Sequence, residues 1–177
     1  FCSRNVEIAI IPDFIEIIGA YSFQGCNKLQ QVLFLDDSKL KIIKNNAFDN
    51  SSINYINIPY NVTQIEQKAF FSCIELESVT IQENSTLQKI GEKAFASTVI
   101  KSFKIPKHVT VICGSAFSNC NNLLKVEFQE DSELQIIEKN AFFDSPISSI
   151  SIPPHVTQIC EGAFALCNLL KIEIPEN

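Results

Sequence analysis

The chain contains no methionine and no tryptophan, only two histidines and only five glycines. Two histidines leave little material for a histidine-assisted Cys or Ser nucleophile. The five glycines include no glycine-rich phosphate loop. Basic residues are also scarce: 14 Lys and Arg stand against 20 Asp and Glu, a formal net charge of -6. A nucleic-acid partner or an anionic membrane surface normally calls for a basic excess, so neither is expected. No run of about 18 apolar residues occurs, which excludes a transmembrane helix and direct membrane insertion. No cationic stretch precedes an apolar run, so no signal peptide is visible. Because Met is absent, Phe1 is not an initiator position, and the chain is expected to be processed or part of a longer protein. No cofactor and no catalytic activity are expected.

What the sequence has instead is repetition. Its 177 residues suggest one domain, 1–177, and 46% hydrophobic content with 14 Phe is enough for a core. A Phe, usually after Ala, recurs at 23, 48, 70, 95, 117, 142 and 164, with gaps alternating between 25 and 22 residues. Two repeats make a 47-residue unit: IPYNVTQIEQKAFFSCIELESVTI (58–81) returns as IPKHVTVICGSAFSNCNNLLKVEF (105–128) and IPPHVTQICEGAFALCNLLKIEI (152–174). The other half reads ENSTLQKIGEKAFASTVIKSFKI (83–105), with close copies at 36–58 and 130–152. Phe1 keeps the same phase. The chain therefore begins inside a repeat, and neither end shows a polar cap, so continuation past an end or cover by another subunit is expected.

Each repeat carries an L-x-x-V-x-I run, starting at Leu29, Ile53, Leu76, Ile100, Leu123, Ile147 and Leu169, with a weaker copy at Val6. Alternating Val, Ile and Phe predict a strand with one face buried. Pro12, Pro59, Pro106 and Pro153 follow alternate copies. Lacking an N–H, each is expected to end its strand. A second apolar stretch, V-T-x-I or L-x-x-I, precedes the Ala-Phe segment, which fits one turn of helix. The predicted fold is a repeat solenoid of about seven repeats. Parallel strands form a continuous sheet on one face, and short strands and helical turns lie on the other. The column Asp37, Asn61, Asn84, His108, Asp131, His155 and Asn177 is expected to cap the turn backbone, with Phe14 breaking it in the first copy.

The pattern IPxxVTxIxxxAFxxCxxLxxVxI resembles the BspA-like, or Treponema pallidum type, leucine-rich repeats over essentially the whole chain. Leucine-rich repeats in general place Asn or Cys at the capping column, and members of the BspA-like class share that fold. They are mostly surface proteins of bacteria and of parasitic or commensal protists, associated with adhesion to host matrix proteins or cells. The resemblance implies a protein-binding module at the cell surface or secreted. The departure is the alternate repeat, with [DE]-[DN]-S-x-L for IP-x-x-V-T and no Cys.

Seven cysteines invite a disulfide or zinc reading, and spacing argues against it. Cys26, Cys73, Cys120 and Cys167 recur every 47 residues, as do Cys113 and Cys160. Alternate repeats lie about 10 Å apart, whereas a disulfide needs Cα atoms within about 7 Å. The first four are expected to be buried, unpaired thiols. Cys113 to Cys120 and Cys160 to Cys167 fall within one repeat, and the intervening Phe disfavours a bridge. Cys2 is an odd member suited to an intermolecular bond. The same separation counts against a metal shared by His108 and His155. Of the three N-x-[ST] sequons, Asn61 and Asn84 are expected to be partly buried as caps, which leaves Asn50 as the possible glycosylation site.

The exposed strand positions form two columns: Ile8, Gln31, Tyr55, Ser78, Ser102, Lys125, Ser149 and Lys171, and Ile10, Leu33, Asn57, Thr80, Lys104, Glu127, Ser151 and Glu173, with Leu35 at the margin. They constitute the candidate protein-binding face. Its N-terminal end is apolar, which marks an interaction site or a surface packed against a preceding segment or a sister chain. The functions left open are surface recognition or adhesion, an intracellular scaffold, for which unpaired Cys in a cytoplasmic chain would suit a reducing compartment, and a self-associating structural protein.

Overall fold

The backbone winds in parallel turns, each contributing a longer strand on one side and a two-residue strand on another. The computed structural model describes residues 5–174. The longer strands are β1 (Ile8–Ile11), β3 (Gln31–Phe34), β5 (Tyr55–Ile58), β7 (Ser78–Ile81), β9 (Ser102–Ile105), β11 (Lys125–Phe128), β13 (Ser149–Ser151) and β15 (Lys171–Glu173). The short ones are β2 (Ile17–Ile18), β4 (Ile42–Ile43), β6 (Gln64–Ile65), β8 (Lys89–Ile90), β10 (Val111–Ile112), β12 (Ile136–Ile137) and β14 (Gln158–Ile159). The short strands make one uninterrupted seven-stranded sheet. We call the two sides the broad and the narrow sheet.

The expected continuity belongs to the narrow sheet alone. By hydrogen bonding the broad side falls into three pieces, β1-β3-β5-β7, β9-β11 and β13-β15. Prolines explain the pattern. Gln129, just after β11, donates its N–H to the Ile105 carbonyl of the preceding repeat at 3.0 Å. Pro59, Pro106 and Pro153 occupy the equivalent place in alternate repeats and have no N–H to give. A Pro thus shortens the ladder to the repeat before it, while the ladder to the repeat after it is intact.

The turn around each core Phe is also not helical. No helix occurs among the described residues. Instead the residues two before and two after each Phe have positive φ: Tyr21 and Gly25, Asn46 and Asn50, Lys68 and Ser72, Lys93 and Ser97, Ser115 and Asn119, Asn140 and Asp144, Gly162 and Leu166. Left-handed residues reverse the peptide direction and forbid a helical turn. They also build a third ladder. Asn46, Phe48 and Asn50 donate to the carbonyls of Gln67, Ala69 and Phe71 one repeat on, at 3.0, 2.7 and 2.8 Å. Residues between them close turns within their own repeat, as Ala47 does to Lys44. In the six turns from Phe23 to Phe142 every turn N–H is thereby paired without helix or strand.

Between these walls the core is a set of columns. Phe23, Phe48, Phe70, Phe95, Phe117, Phe142 and Phe164 stack with ring centroids 5.0–5.4 Å apart and planes within 13° of parallel. The five central rings are fully buried, and each is preceded by a buried Ala. A small residue there lets the next turn approach. Burying one such ring contributes about 2–3 kcal/mol. No single repeat could bury it alone, so the stack is the smallest stable unit.

Candidate binding face

The broad strands alternate as the sequence predicts. Ala9, Val32, Ile56, Val79, Phe103, Val126 and Ile150 point inward, and the two predicted columns point out. Pairing holds those columns in line: Ile8 lies opposite Gln31, Gln31 opposite Tyr55 and Tyr55 opposite Ser78. Likewise Ile10 lies opposite Leu33, Asn57 opposite Thr80, Lys104 opposite Glu127 and Ser151 opposite Glu173. Of the two columns and Leu35 at their margin, sixteen residues are exposed and Gln31 alone is half-buried.

The chemistry of the face changes along the stack. At one end Ile8, Ile10, Leu33, Leu35 and Tyr55 are 37–63% exposed, a contiguous apolar patch. In the middle Asn57, Ser78, Thr80 and Ser102 are small and polar, with the Thr80 hydroxyl donating to Asn57 Oδ1 at 3.1 Å. At the other end the charges pair along their own strands, Lys125 with Glu127 at 2.8 Å and Lys171 with Glu173 at 2.6 Å. The hydrogen bond and charge of Glu173 hold Lys171 above the ordinary lysine pKa, and Lys171 with Ser151 holds Glu173 below the ordinary carboxylate value. This end forms a shallow open groove of about 700 Å³ between β11, β13 and β15.

This architecture has a match among known families. The family described as BspA type leucine rich repeat region matches in six copies, over residues 1–124 and 88–177. The chain belongs to the BspA-type leucine-rich repeat family. Among solved structures, a leucine-rich repeat protein from Bacteroides ovatus is 29% identical with a TM-score of 0.82, covering 95% of this chain and 45% of its own. A leucine rich cell surface protein from Faecalibacterium prausnitzii is 26% identical with a TM-score of 0.60, covering 96% of this chain and 48% of its own. The chain thus spans a little under half the length of either. A Eubacterium ventriosum leucine-rich repeat protein, 22% identical with a TM-score of 0.50 over 95% of this chain and 54% of its own, shares the fold. No curated protein matches the sequence. Among the described residues no helix is long and apolar enough to cross a membrane.

Within the BspA-type stack the cysteines are mostly packing residues. Cys73, Cys113, Cys120, Cys160 and Cys167 are free thiols, so the bridges within one repeat do not form. Cys26 corrects the expectation for its column: it is disulfide-bonded. The spacing argument excluded only partners within the column. Cys2 lies outside the described residues. The column also serves the turn backbone. Cys73, Cys120 and Cys167 donate their S–H to the carbonyls of Phe48, Phe95 and Phe142 at 3.0, 3.1 and 3.1 Å. Where Cys is missing, the Ser145 hydroxyl does the same for Phe117 at 2.6 Å.

Burial pushes the Cys73 thiol up to about 12 and the Cys120 thiol to about 11. An unfolded thiol titrates near about 8.5. The stability these thiols contribute is therefore full below about pH 8.5 and is lost as the pH rises toward the folded values. Between about pH 9 and 11 the fold is expected to lose up to about 1.4 kcal/mol per pH unit for each thiol. Urea midpoints at pH 8 and 10 check this. Cys73→Ser/Cys120→Ser, which copies the hydroxyl donor of Ser145, should flatten the dependence, and an equally steep variant would refute the assignment.

Two other expectations need revision. The predicted turn caps are real only in part. Asn61 Nδ2 donates to the Ser38 carbonyl at 2.9 Å, but His108 Nδ1 faces Glu133 at 3.0 Å, His155 is exposed, and Asp131 pairs with Lys107 at 3.8 Å. In the longer repeats the cap is the next residue along: buried Ser38, Ser85 and Ser132 accept the N–H of Leu40, Leu87 and Leu134. The S-x-L triplet was the signal. Asn177 lies outside the described residues. Asn84 is exposed, not partly buried, whereas Asn61 is half-buried and bonded. Asn50 is exposed on its left-handed turn. No cluster of three or more His, Cys, Asp or Glu suited to a metal occurs among the described residues.

Proposed function

We propose that the chain is a non-catalytic recognition module that binds a protein partner through its broad face, at the cell surface or after secretion, in an adhesive role. The observation that carries this reading is the pair of exposed, in-register columns running from an apolar to a charged end. An apolar patch of this kind on a solvated face is the usual anchor of a protein contact. The patch would supply the binding energy, and the self-paired charges at the far end would set orientation. The cell-surface description of the Faecalibacterium relative supports the location.

The test is binding to immobilised host matrix proteins, wild type against Leu33→Ser/Tyr55→Ser. The double variant is expected to lose affinity by about tenfold or more, while remaining folded with a modestly lowered midpoint, because both side chains are only partly exposed. Absence of saturable wild-type binding, or equal binding by the variant, would count against the reading. The same patch supports self-association as the second reading. Light scattering separates them: a mass above 19.8 kDa that falls to it in the variant favours the dimer.

A further inference from the structure

We propose that the broad sheet opens at the β7/β9 and β11/β13 junctions, so that the 47-residue double repeat tilts as one plate and the narrow sheet is its hinge. This does not rest on the binding reading.

The junctions alternate in their backbone ladders, although an exposed ion pair, Lys101 with Glu77 at 2.5 Å, also spans β7/β9. Where a Pro-ended strand meets its successor the ladder is complete, with four paired positions in β1–β3, β5–β7 and β9–β11. Where the successor meets the next Pro-ended strand, β3–β5 keeps two pairs and β7/β9 and β11/β13 keep no ladder. The bonds entering the strands follow suit. Gln30 to Glu7, Glu77 to Asn54, Leu124 to Lys101 and Leu170 to Ser148 measure 2.8–3.0 Å, whereas Asn54 to Gln30 and Lys101 to Glu77 measure 3.1 and 3.3 Å. Two complete junctions carry an extra clasp. Gln82 Oε1 accepts the Tyr60 N–H at 3.1 Å and Gln129 Oε1 the Lys107 N–H at 2.8 Å.

The opposite wall shows no such alternation. The narrow sheet runs unbroken from β2 to β14. The turn ladder crosses the β7/β9 step with Phe70 to Ala94 at 2.8 Å and Ser72 to Ala96 at 2.9 Å. Beneath the gap Phe103 packs on Phe95 and Phe117, which limits the motion to a tilt. A wall that opens on one side and holds on the other bends the stack. Local opening is drawn from the places with fewest hydrogen bonds.

Residue-resolved amide exchange of the whole chain decides. By the parallel-strand alternation seen at Gln31, whose N–H turns back to Glu7, the amides of Ser102 and Lys104 face β7, and those of Lys125 and Glu127 face β9. The first pair should exchange about tenfold faster or more; equal protection would overturn the proposal. Pro106→Gln restores the donor that Gln129 supplies one repeat later. It should slow Ser102 and Lys104 several-fold while leaving Ser149 and Ser151 at the untouched junction unchanged. A folded variant with no slowing would also overturn it, and if that variant does not fold, the wild-type comparison still decides.

Discussion

Replacing Phe95 by Ala is expected to cost about 3–5 kcal/mol of folding stability, because the ring is fully buried and the space cannot collapse. Phe95 stacks between Phe70 and Phe117 at 5.1 and 5.4 Å and meets Phe103 at 5.2 Å. Its neighbours are held by the turn ladder and the narrow sheet, which repeat at fixed spacing, so the gap collapses little. Phe23→Ala, at a half-buried ring with one described stacking partner, should cost distinctly less. Urea unfolding followed by circular dichroism gives both numbers. Equal losses at the two sites would mean that the column does not act as a stack.

Gly91→Ala should be damaging out of proportion to its one added methyl. A Cβ there would lie 2.6 Å from the Glu66 carbonyl carbon, 2.8 Å from the Gln67 nitrogen and 2.8 Å from the Ile65 oxygen. All three are backbone, so nothing flexible can yield. The Gly91 N–H donates to that same Ile65 oxygen at 2.8 Å, so the clash and the ladder bond compete. A loss of about 3 kcal/mol is expected, at the upper end for overpacking. Gly114→Ala is the control: its nearest atom is an ordinary 3.5 Å away, and the change should be near neutral. If the two glycines tolerated Ala equally, the close approach at Gly91 would be wrong.

The repeat phase, the core Phe column and the outward strand columns were legible because stacking forces the same residue type to recur at one offset. Val32, Ile56, Val79 and Val126 declare an inward face wherever they occur, and Leu33, Tyr55 and Lys125 declare the outward one. The left-handed turns were not legible. Asn, Asp and Gly at Asn46, Asn50, Asn119, Asn140, Asp144, Gly25 and Gly162 tolerate positive φ, but Tyr21, Lys68, Lys93 and Leu166 have no such preference. There the inter-repeat hydrogen bonds override residue type, so a helical turn was the natural misreading. The prolines showed where strands stop, but not that the lost donor would shorten or break the preceding junction and spare the following one. For the caps, Asn61 misled because one true case stood in a column whose other members do different things. The disulfide at Cys26 was missed because distance within a column says nothing about partners outside it.

The turn ladder also gives the molecule a sense of direction. In the six repeats from Phe23 to Phe142 the N–H groups at the core Phe and two residues either side all point toward the next repeat, and the carbonyls that receive them all point back. The peptide dipoles along that wall therefore add rather than cancel, as they do in a helix. One end of the wall presents hydrogens and the other oxygens. A repeat inserted upside down would set carbonyl against carbonyl and could not join. Whatever adds to either end of this stack, whether another turn of chain or a separate molecule, must share its polarity.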